Sequence, residues 1–143
     1  IGVGGRMDTI QCAILLAKLG RFDWEVEQRK RIGERYSELM DKEGISHVRQ
    51  RTDRTTVYAQ YTIFVAERDE LQNKLKLAGV PTAVHYPVPL NKQPAFSELI
   101  VGETTPIANQ VSKKVISLPM GADLVHTTQN SIMQFLKNSP GSV

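Results

Sequence analysis

A glycine-rich segment near the start of the chain carries the residue types best suited to holding an anion. It reads Gly-Val-Gly-Gly-Arg-Met-Asp over residues 2–8 and runs directly into the apolar stretch Thr9–Leu16. Glycine backbone can adopt positive φ and approach a ligand closely, and the free N–H groups at a helix N-terminus attract negative charge. Arg6 adds a planar guanidinium that can bind phosphate or carboxylate through two hydrogen bonds. The segment predicts an anion site, although a plain glycine turn with an exposed arginine fits the same residues.

A second group of polar residues stands where a predicted strand meets a proline-rich segment. His85 and Tyr86 close the predicted strand 80–86 and come directly before Pro87 and Pro89. Ligand-binding side chains often gather where a strand gives way to a loop. A packed aromatic pair at the edge of the core is the alternative interpretation of these two residues.

The remaining histidines and the single cysteine do not form a metal-ligand spacing. His47 and His126 are far from each other in sequence, and we expect both at the surface. Cys12 cannot form an internal disulfide and lies in an apolar helix, so we expect a buried, unreactive thiol. This cysteine usage is typical of a cytoplasmic protein.

Apolar spacing and end signals predict five helices. The first, over residues 8–19, is apolar on nearly all sides, which is typical of a helix buried in a core or an interface. The second, over residues 23–42, has one apolar face and one face on which acidic and basic residues alternate. The other three are predicted over residues 67–78, from Thr105-Pro106 onward, and from Thr127 or Thr128 onward.

Three strands are predicted between these helices, from β-branched and aromatic content. They cover residues 56–65, 80–86 and 116–118. The fold class is therefore α+β, with a small sheet of about three strands and helices on one of its faces. No internal repeat or long interior linker divides residues 1–143, so we expect a single domain.

Composition and charge exclude several classes of partner. No apolar run approaches the roughly 20 residues that span a bilayer. The chain carries a net charge of +3, but acidic residues alternate with the basic ones and aromatic residues do not, which argues against nucleic-acid binding. A mildly basic protein suits small anionic ligands.

Four stretches, in order along the chain, resemble one enzyme family. The glycine segment with Ile10-Gln11-Cys12-Ala13 is similar to that family's Gly-x-Asn-x-Arg segment and to the Ile-Gln-Ala-Ala helix behind it. Residues 78–90 resemble its strand and proline-rich loop, and residues 93–96 and 117–120 continue in the family's order. On these residues the chain resembles the pyridoxal-phosphate sugar aminotransferases of the DegT/DnrJ/EryC1/StrS group, which aminate keto-sugars attached to nucleotides.

The resemblance implies the C-terminal small domain of a fold type I pyridoxal-phosphate enzyme. Residues 1–42 would be the helices that lead into the domain, and residues 43–143 would form a small α/β sandwich. The lysine that forms the Schiff base lies upstream in the family, and no lysine here matches its motif. We therefore expect a fragment without catalytic residues of its own, inactive by itself.

The resemblance also implies a homodimer that associates through the N-terminal helix and loop, so that each site is built from both subunits. Gly4 and Gly5 would then contact the cofactor bound by the partner subunit. Gly4 stands where the family usually has Asn. The resemblance assigns Arg6, His85 and Tyr86 to the substrate.

The substrate implied by the resemblance is a UDP-linked 3-keto uronic acid, with glutamate as the amino donor, in the biosynthesis of lipopolysaccharide O-antigen. Arg6 would meet the uronate carboxylate in bidentate fashion. A neutral keto-hexose remains a possible substrate if Arg6 binds the cofactor phosphate instead. A different class of function also remains open, namely a non-catalytic α+β domain that binds a small molecule or a protein partner.

Overall fold

The fold is described by a computed structural model that covers residues 5, 7–96 and 105–137. The α+β class is confirmed, and each of the five predicted helices is present within a few residues of its expected bounds. In chain order the elements are α1 (Thr9–Leu19), α2 (Phe22–Lys42), β1 (Tyr61–Phe64), α3 (Arg68–Leu77), two 3₁₀ turns (Leu90–Lys92 and Pro94–Phe96), α4 (Pro106–Lys114), β2 (Val115–Leu118) and α5 (His126–Lys137).

Within the described residues the regular sheet has two strands, so the prediction of about three is wrong. β1 and β2 pair antiparallel along their full lengths. An isolated bridge adds a single residue on each side of the pair, from His47 to Ile63 in β1 and from Ala83 to Ser117 in β2. The predicted strand 80–86 is thus reduced to one bridged residue.

Proline explains why this bridge does not grow into a strand. Ala83 and Ser117 exchange both backbone hydrogen bonds, at 2.7 and 3.1 Å. In an antiparallel ladder such hydrogen-bonded pairs recur every second residue, so the next pair would place Pro81 opposite Pro119. Neither residue has an N–H group to donate, and the ladder ends.

The ladder is blocked in the other direction by helix α4. There the next hydrogen-bonded pair would be His85 with Val115. The Val115 N–H already donates to the Val111 carbonyl at the end of α4. The backbone around His85 is therefore released from the sheet directly after its only bridge.

The core lies between the sheet, α2 and α5. The buried face of α2 presents Ile32, Tyr36 and Met40 at helical spacing. The fully buried Gln129 of α5 donates from Nε2 to the Ile32 carbonyl at 3.0 Å and accepts from Arg35 at 3.1 Å, so its amide is satisfied in the interior. Apolar residues from the other elements complete the core, among them Ile63, Leu71, Leu75, Ile116, Ile132 and Leu136.

A group of stacked rings joins α2 to the sheet. Tyr61 in β1 stacks on Tyr36 at 4.8 Å, on His47 at 6.0 Å and on Tyr58 at 6.2 Å between ring centroids. His47 is buried by this stacking, so its expected surface position is wrong. Tyr58 has a φ of 46°, and its ring covers Gly33, which shortens the predicted strand 56–65 to β1. A Cβ on Gly33 would lie 2.4 Å from that ring.

Helix α1 contributes nothing to this core. It has no buried residue, and Ile10 is 74% exposed. Cys12 is exposed as well, so the expectation of a buried thiol is wrong. The helix is apolar as predicted, but the residues that the structure describes do not bury its apolar surface.

Candidate functional site

The glycine segment is described only in part. Gly4 and Arg6 lie outside the described residues, and their assigned roles stay predictions. Gly5 is exposed, and no atom comes within 4 Å of the position that a Cβ would take there. Asp8 ends the segment as the N-cap of α1, because its carboxylate accepts from the Gln11 N–H at 2.7 Å while Gln11 Oε1 accepts from the Asp8 N–H at 3.2 Å. The described end of the segment thus leads into a capped helix, with open space at Gly5.

His85 and Tyr86 lie together on the surface. Both side chains are exposed, Tyr86 by 74%. Their rings meet edge to face, with centroids 5.8 Å apart and planes 89° apart, and the peptide bond that joins them is cis. Their exposure argues against a packed pair in the core, and it leaves the imidazole and the phenol accessible to a ligand. The assignment of these two residues to a substrate remains a prediction.

A largely apolar cleft of about 470 Å³ opens beside these two rings. His85 and Tyr86 stand at its polar end together with Gln93, whose Nε2 donates to the Val88 carbonyl at 3.3 Å. The rest of its wall comes from the proline-rich loop, from α4 and from the first residue of β2: Val88, Pro89, Leu90, Ala108, Val111, Ser112 and Val115. The arrangement of one apolar wall and a few polar groups is typical of a small-molecule site.

His85 also borders a second cleft of about 420 Å³, on the side of the sheet where the chain bridges Ala83 to Ser117. Its Nδ1 lies 3.4 Å from Ser117 Oγ, and that oxygen lies 3.0 Å from Thr62 Oγ1. Neither Ser117 nor Thr62 was predicted from the sequence as part of the site. Ser117 is 32 residues and Thr62 is 23 residues from His85 along the chain, and only the strand register brings the two hydroxyls close to the histidine.

The arginines of the loop before β1 form ion pairs with carboxylates. Arg51 and Arg54 both donate two hydrogen bonds to Asp53 at 3.0 to 3.1 Å. Hydrogen bonds from Arg54 and then Arg51 lower the pKa of Asp53 to about 2. Arg49 reaches Asp41 at 2.6 Å. Each guanidinium thus has an acidic partner, and the loop is held by its own ion pairs.

The pKa values of two phenols in the ring stack are raised, whereas that of Asp53 is lowered. Burial raises the pKa of Tyr61 to about 12, against the opposing effect of its hydrogen bond with Ser37. Burial likewise raises the pKa of Tyr36, whose hydroxyl donates to the Pro119 carbonyl at 3.2 Å. Both phenols stay neutral at physiological pH and act as packing groups.

Neither a metal centre nor a membrane anchor is found in the described part of the chain. Across residues 5, 7–96 and 105–137, no three His, Cys, Asp or Glu side chains are grouped to hold a metal ion. No helix within the same ranges is long and apolar enough to cross a bilayer.

Comparison with known proteins places these features in a family. Residues 1–137 match the DegT/DnrJ/EryC1/StrS aminotransferase family. Over 120 residues the chain is 42% identical to the UDP-2-acetamido-2-deoxy-3-oxo-D-glucuronate aminotransferase of Pseudomonas aeruginosa. That alignment covers 84% of this chain and 33% of the relative.

Solved structures lead to the same family. A DegT/DnrJ/EryC1/StrS aminotransferase from Brucella abortus superposes with a TM-score of 0.84 at 32% identity, over 94% of this chain and 36% of that one. A protein described as a sugar aminotransferase from Streptococcus pneumoniae, solved in its PLP form, has a TM-score of 0.80 at 25% identity, over 90% of this chain and 34% of that one. The chain spans about a third of the length of the relatives it matches. It belongs to the DegT/DnrJ/EryC1/StrS aminotransferase family.

Proposed function

We propose that this chain is the C-terminal portion of a fold type I, pyridoxal-phosphate-dependent aminotransferase that transfers an amino group from glutamate to a nucleotide-linked keto-sugar. The observation that carries the proposal is the family match over residues 1–137 in a chain that spans about a third of its relatives' length. Residues 1–42 then lead into the small domain formed by residues 43–143. The lysine that holds the cofactor belongs to another part of the full-length protein.

Pyridoxal phosphate supplies the electron sink for amino transfer when it is bound, and the protein supplies orientation and charge. The exposed backbone at Gly5, with open space around it, fits a close approach to such a group from the partner subunit. Gly4 and Gly5 have no side chains with which to bind, so they contact the cofactor through backbone N–H groups. Arg6 comes directly after them in the sequence and provides a positively charged guanidinium.

The substrate we propose is a UDP-linked 3-keto uronic acid. The exposed imidazole of His85 and phenol of Tyr86 provide hydrogen-bonding groups at the polar end of an apolar cleft. Arg6 would pair with the uronate carboxylate through two hydrogen bonds. The support from comparison is the Pseudomonas relative, which is named for a 3-oxo-glucuronate substrate and is 42% identical.

A 3-amino uronic acid suits the biosynthesis of lipopolysaccharide O-antigen, and we propose the cytoplasm as its location. The free, exposed thiol of Cys12 is compatible with a reducing compartment, where structural disulfides are rare.

The homodimer we propose associates through α1 and the glycine segment. Ile10, Ile14 and Leu16 are each more than half exposed on α1, and apolar area of this kind marks an interface. In the full-length protein, Ile14→Asp is expected to convert dimer to monomer in analytical ultracentrifugation. A dimer of unchanged affinity in that variant would contradict an interface through this helix.

The catalytic assignment is tested by comparing the chain with the full-length protein. With pyridoxal phosphate, glutamate and a UDP-linked 3-keto uronic acid, the full-length protein is expected to turn over and the 143-residue chain is not. Turnover by the chain alone, or none by the full-length protein with any nucleotide-linked keto-sugar, would overturn the proposal. The second result would favour a non-catalytic binding domain.

The substrate assignment is tested at Arg6. Arg6→Ala in the full-length protein is expected to lower kcat/KM for the uronate by roughly 1.5–3 kcal/mol of transition-state binding, the range for hydrogen bonds to charged groups. For a neutral keto-hexose analogue, which has no carboxylate, kcat/KM should fall little. Equal losses for both substrates would assign Arg6 to the cofactor or to the loop and remove the support for a uronate.

A further inference from the structure

We propose that Ser117 and Thr62 form a hydroxyl pair that positions His85 for the substrate. The proposal rests on the proposed role of His85 as a substrate-binding residue. Ser117 and Thr62 are positioning residues, because they act on the ligand only through the imidazole. Neither belongs to the loop that carries His85, so the sheet itself sets the orientation of this ring.

The backbone brings the two hydroxyls together. The N–H and the carbonyl of Ser117 both bond to Ala83, so both point away from β1. Ser117 is also directly opposite Thr62 in the β1–β2 pairing. That pair is therefore of the non-hydrogen-bonded kind, in which facing side chains approach most closely. The 3.0 Å distance between Ser117 Oγ and Thr62 Oγ1 follows from this register.

The same register brings His85 to Ser117. Ala83 is bridged to Ser117, and His85 follows Ala83 by two residues, so the bridge holds this part of the chain next to Ser117. The His85 Nδ1 lies 3.4 Å from Ser117 Oγ, a long hydrogen bond of the kind that tightens when a ligand binds. The ring also meets Tyr86 edge to face. These two contacts limit the rotation of the imidazole.

The two hydroxyl residues and the histidine differ in burial. Ser117 is 5% exposed and Thr62 is half-buried, whereas His85 is exposed. The hydroxyls are in the sheet, where backbone pairing on both sides holds them. Of the three side chains, the imidazole is the exposed one and it borders both clefts, whereas Ser117 lines only the second.

The hydroxyl pair can hydrogen-bond to the imidazole in either of its forms. A hydroxyl both donates and accepts. When Thr62 donates to Ser117 and Ser117 donates to Nδ1, the proton of the neutral ring resides on Nε2. Nε2–H is then a donor for an anionic oxygen, which suits a carboxylate or a diphosphate. When the ring is protonated, both hydroxyls reverse and Nδ1–H donates to Ser117, so the pair supports either state.

The test uses the full-length enzyme and a double-mutant cycle. Ser117→Ala is expected to raise KM for the UDP-linked uronate about threefold to tenfold, the effect of one neutral hydrogen bond, with kcat little changed. Ser117→Thr keeps the hydroxyl and should restore KM. In a His85→Ala background, Ser117→Ala should add nothing, because its effect passes through the imidazole.

Ser37→Ala is the matched control. Ser37 is a half-buried hydroxyl that bonds to Tyr61 of β1 at 3.0 Å but does not contact His85. Its removal should leave KM unchanged. Binding of UDP-glucuronic acid, which has no keto group to react, gives a second readout by calorimetry and should weaken by the same factor in Ser117→Ala alone. If Ser117→Ala does not fold, Thr62→Val replaces it in the same cycle, with Thr62→Ser as its rescue.

The outcomes separate the two proposals. If His85→Ala leaves KM unchanged, the proposed role of His85 in substrate binding fails. If His85→Ala raises KM but neither Ser117→Ala nor Thr62→Val does, the positioning pair is overturned while the substrate role stands. A loss from Ser117→Ala that is fully additive with His85→Ala would also overturn it, since the serine would then act independently of the histidine.

Discussion

Helices α1 and α2 follow each other directly along the chain, yet only one of them belongs to the core. α1 is the more apolar helix, and it buries none of its residues. α2 is rich in charges, and it buries Ile32, Gly33, Tyr36 and Met40 along one face. The spacing of apolar residues, rather than their number, therefore decides which helix this chain can bury for itself.

The two helices also differ in what keeps them helical. α2 is held by ring stacking on Tyr61 and by the hydrogen bond from Gln129 of α5 to its backbone. α1 has 11 residues and a capping box at Asp8, and helices of this length are marginal in water without tertiary packing. A helix that is apolar on nearly all sides and that no described residue buries indicates a partner surface elsewhere.

The largest expected loss of stability comes from a cavity-forming substitution in the core that α2 helps to form. Ile63 in β1 is fully buried, and Ile63→Ala should lower the free energy of unfolding of the 143-residue chain by about 2–5 kcal/mol. The matched change Ile14→Ala in α1, where the side chain is 55% exposed, should stay within about 0.5 kcal/mol. Urea titration of both variants checks the pair. Comparable losses would mean that α1 is part of the same cooperative core.

The next effect is a loss of stability at high pH that arises in the ring stack. The pKa of Tyr61 in the folded chain is raised to about 12, above its unfolded value near 10. Its contribution is therefore fully present below pH 10 and is lost as the pH rises toward 12, by roughly 2–3 kcal/mol. Tyr61→Phe should make unfolding free energy depend less steeply on pH in this window, and Tyr36, whose pKa burial also raises, should keep part of the dependence. An equally steep dependence in that variant would assign the effect to other groups.

A smaller effect is expected where α2 meets Tyr58. Gly33→Ala places a Cβ 2.4 Å from the Tyr58 ring, and the overpacking should cost about 1–3 kcal/mol. Gly20→Ala, between α1 and α2, has no atom closer than 3.9 Å to its added Cβ and a φ of −61°, so it should be neutral or slightly stabilising. Thermal unfolding compares the two. A neutral Gly33→Ala would show that the Tyr58 ring can move aside without cost.

The smallest effect is expected at the cap of α1. Asp8→Ala removes the capping box and should cost about 1 kcal/mol of local helix stability. Because α1 is not packed on the core, amide exchange within α1 should speed up while the global unfolding midpoint of the chain stays the same. A shift of the global midpoint would show that α1 and the core unfold together.

Local signals predicted much of the architecture. The glycine at position 20 and the Thr105-Pro106 pair mark helix ends that the structure confirms within a residue or two, because capping and φ restrictions act between near neighbours. The apolar face of α2 was predicted in the same way. The exposure of Cys12 and the burial of His47 were predicted wrongly, since each depends on whether a distant element covers that position.

By itself, the sequence determined the helices, the α+β class and the family, and it predicts the glycine segment as the place for an anion. Each of these depends on residues that are close in sequence or on motifs that keep their order. Only the tertiary structure decided that Ala83 would bridge to Ser117, a register in which the next hydrogen-bonded pair would join two prolines. It also decided that Ser117 would come to His85 with Thr62 beside it. The physical reason is register, since a shift of one residue between paired strands turns every side chain to the other face, and no local pattern specifies which residues lie opposite each other.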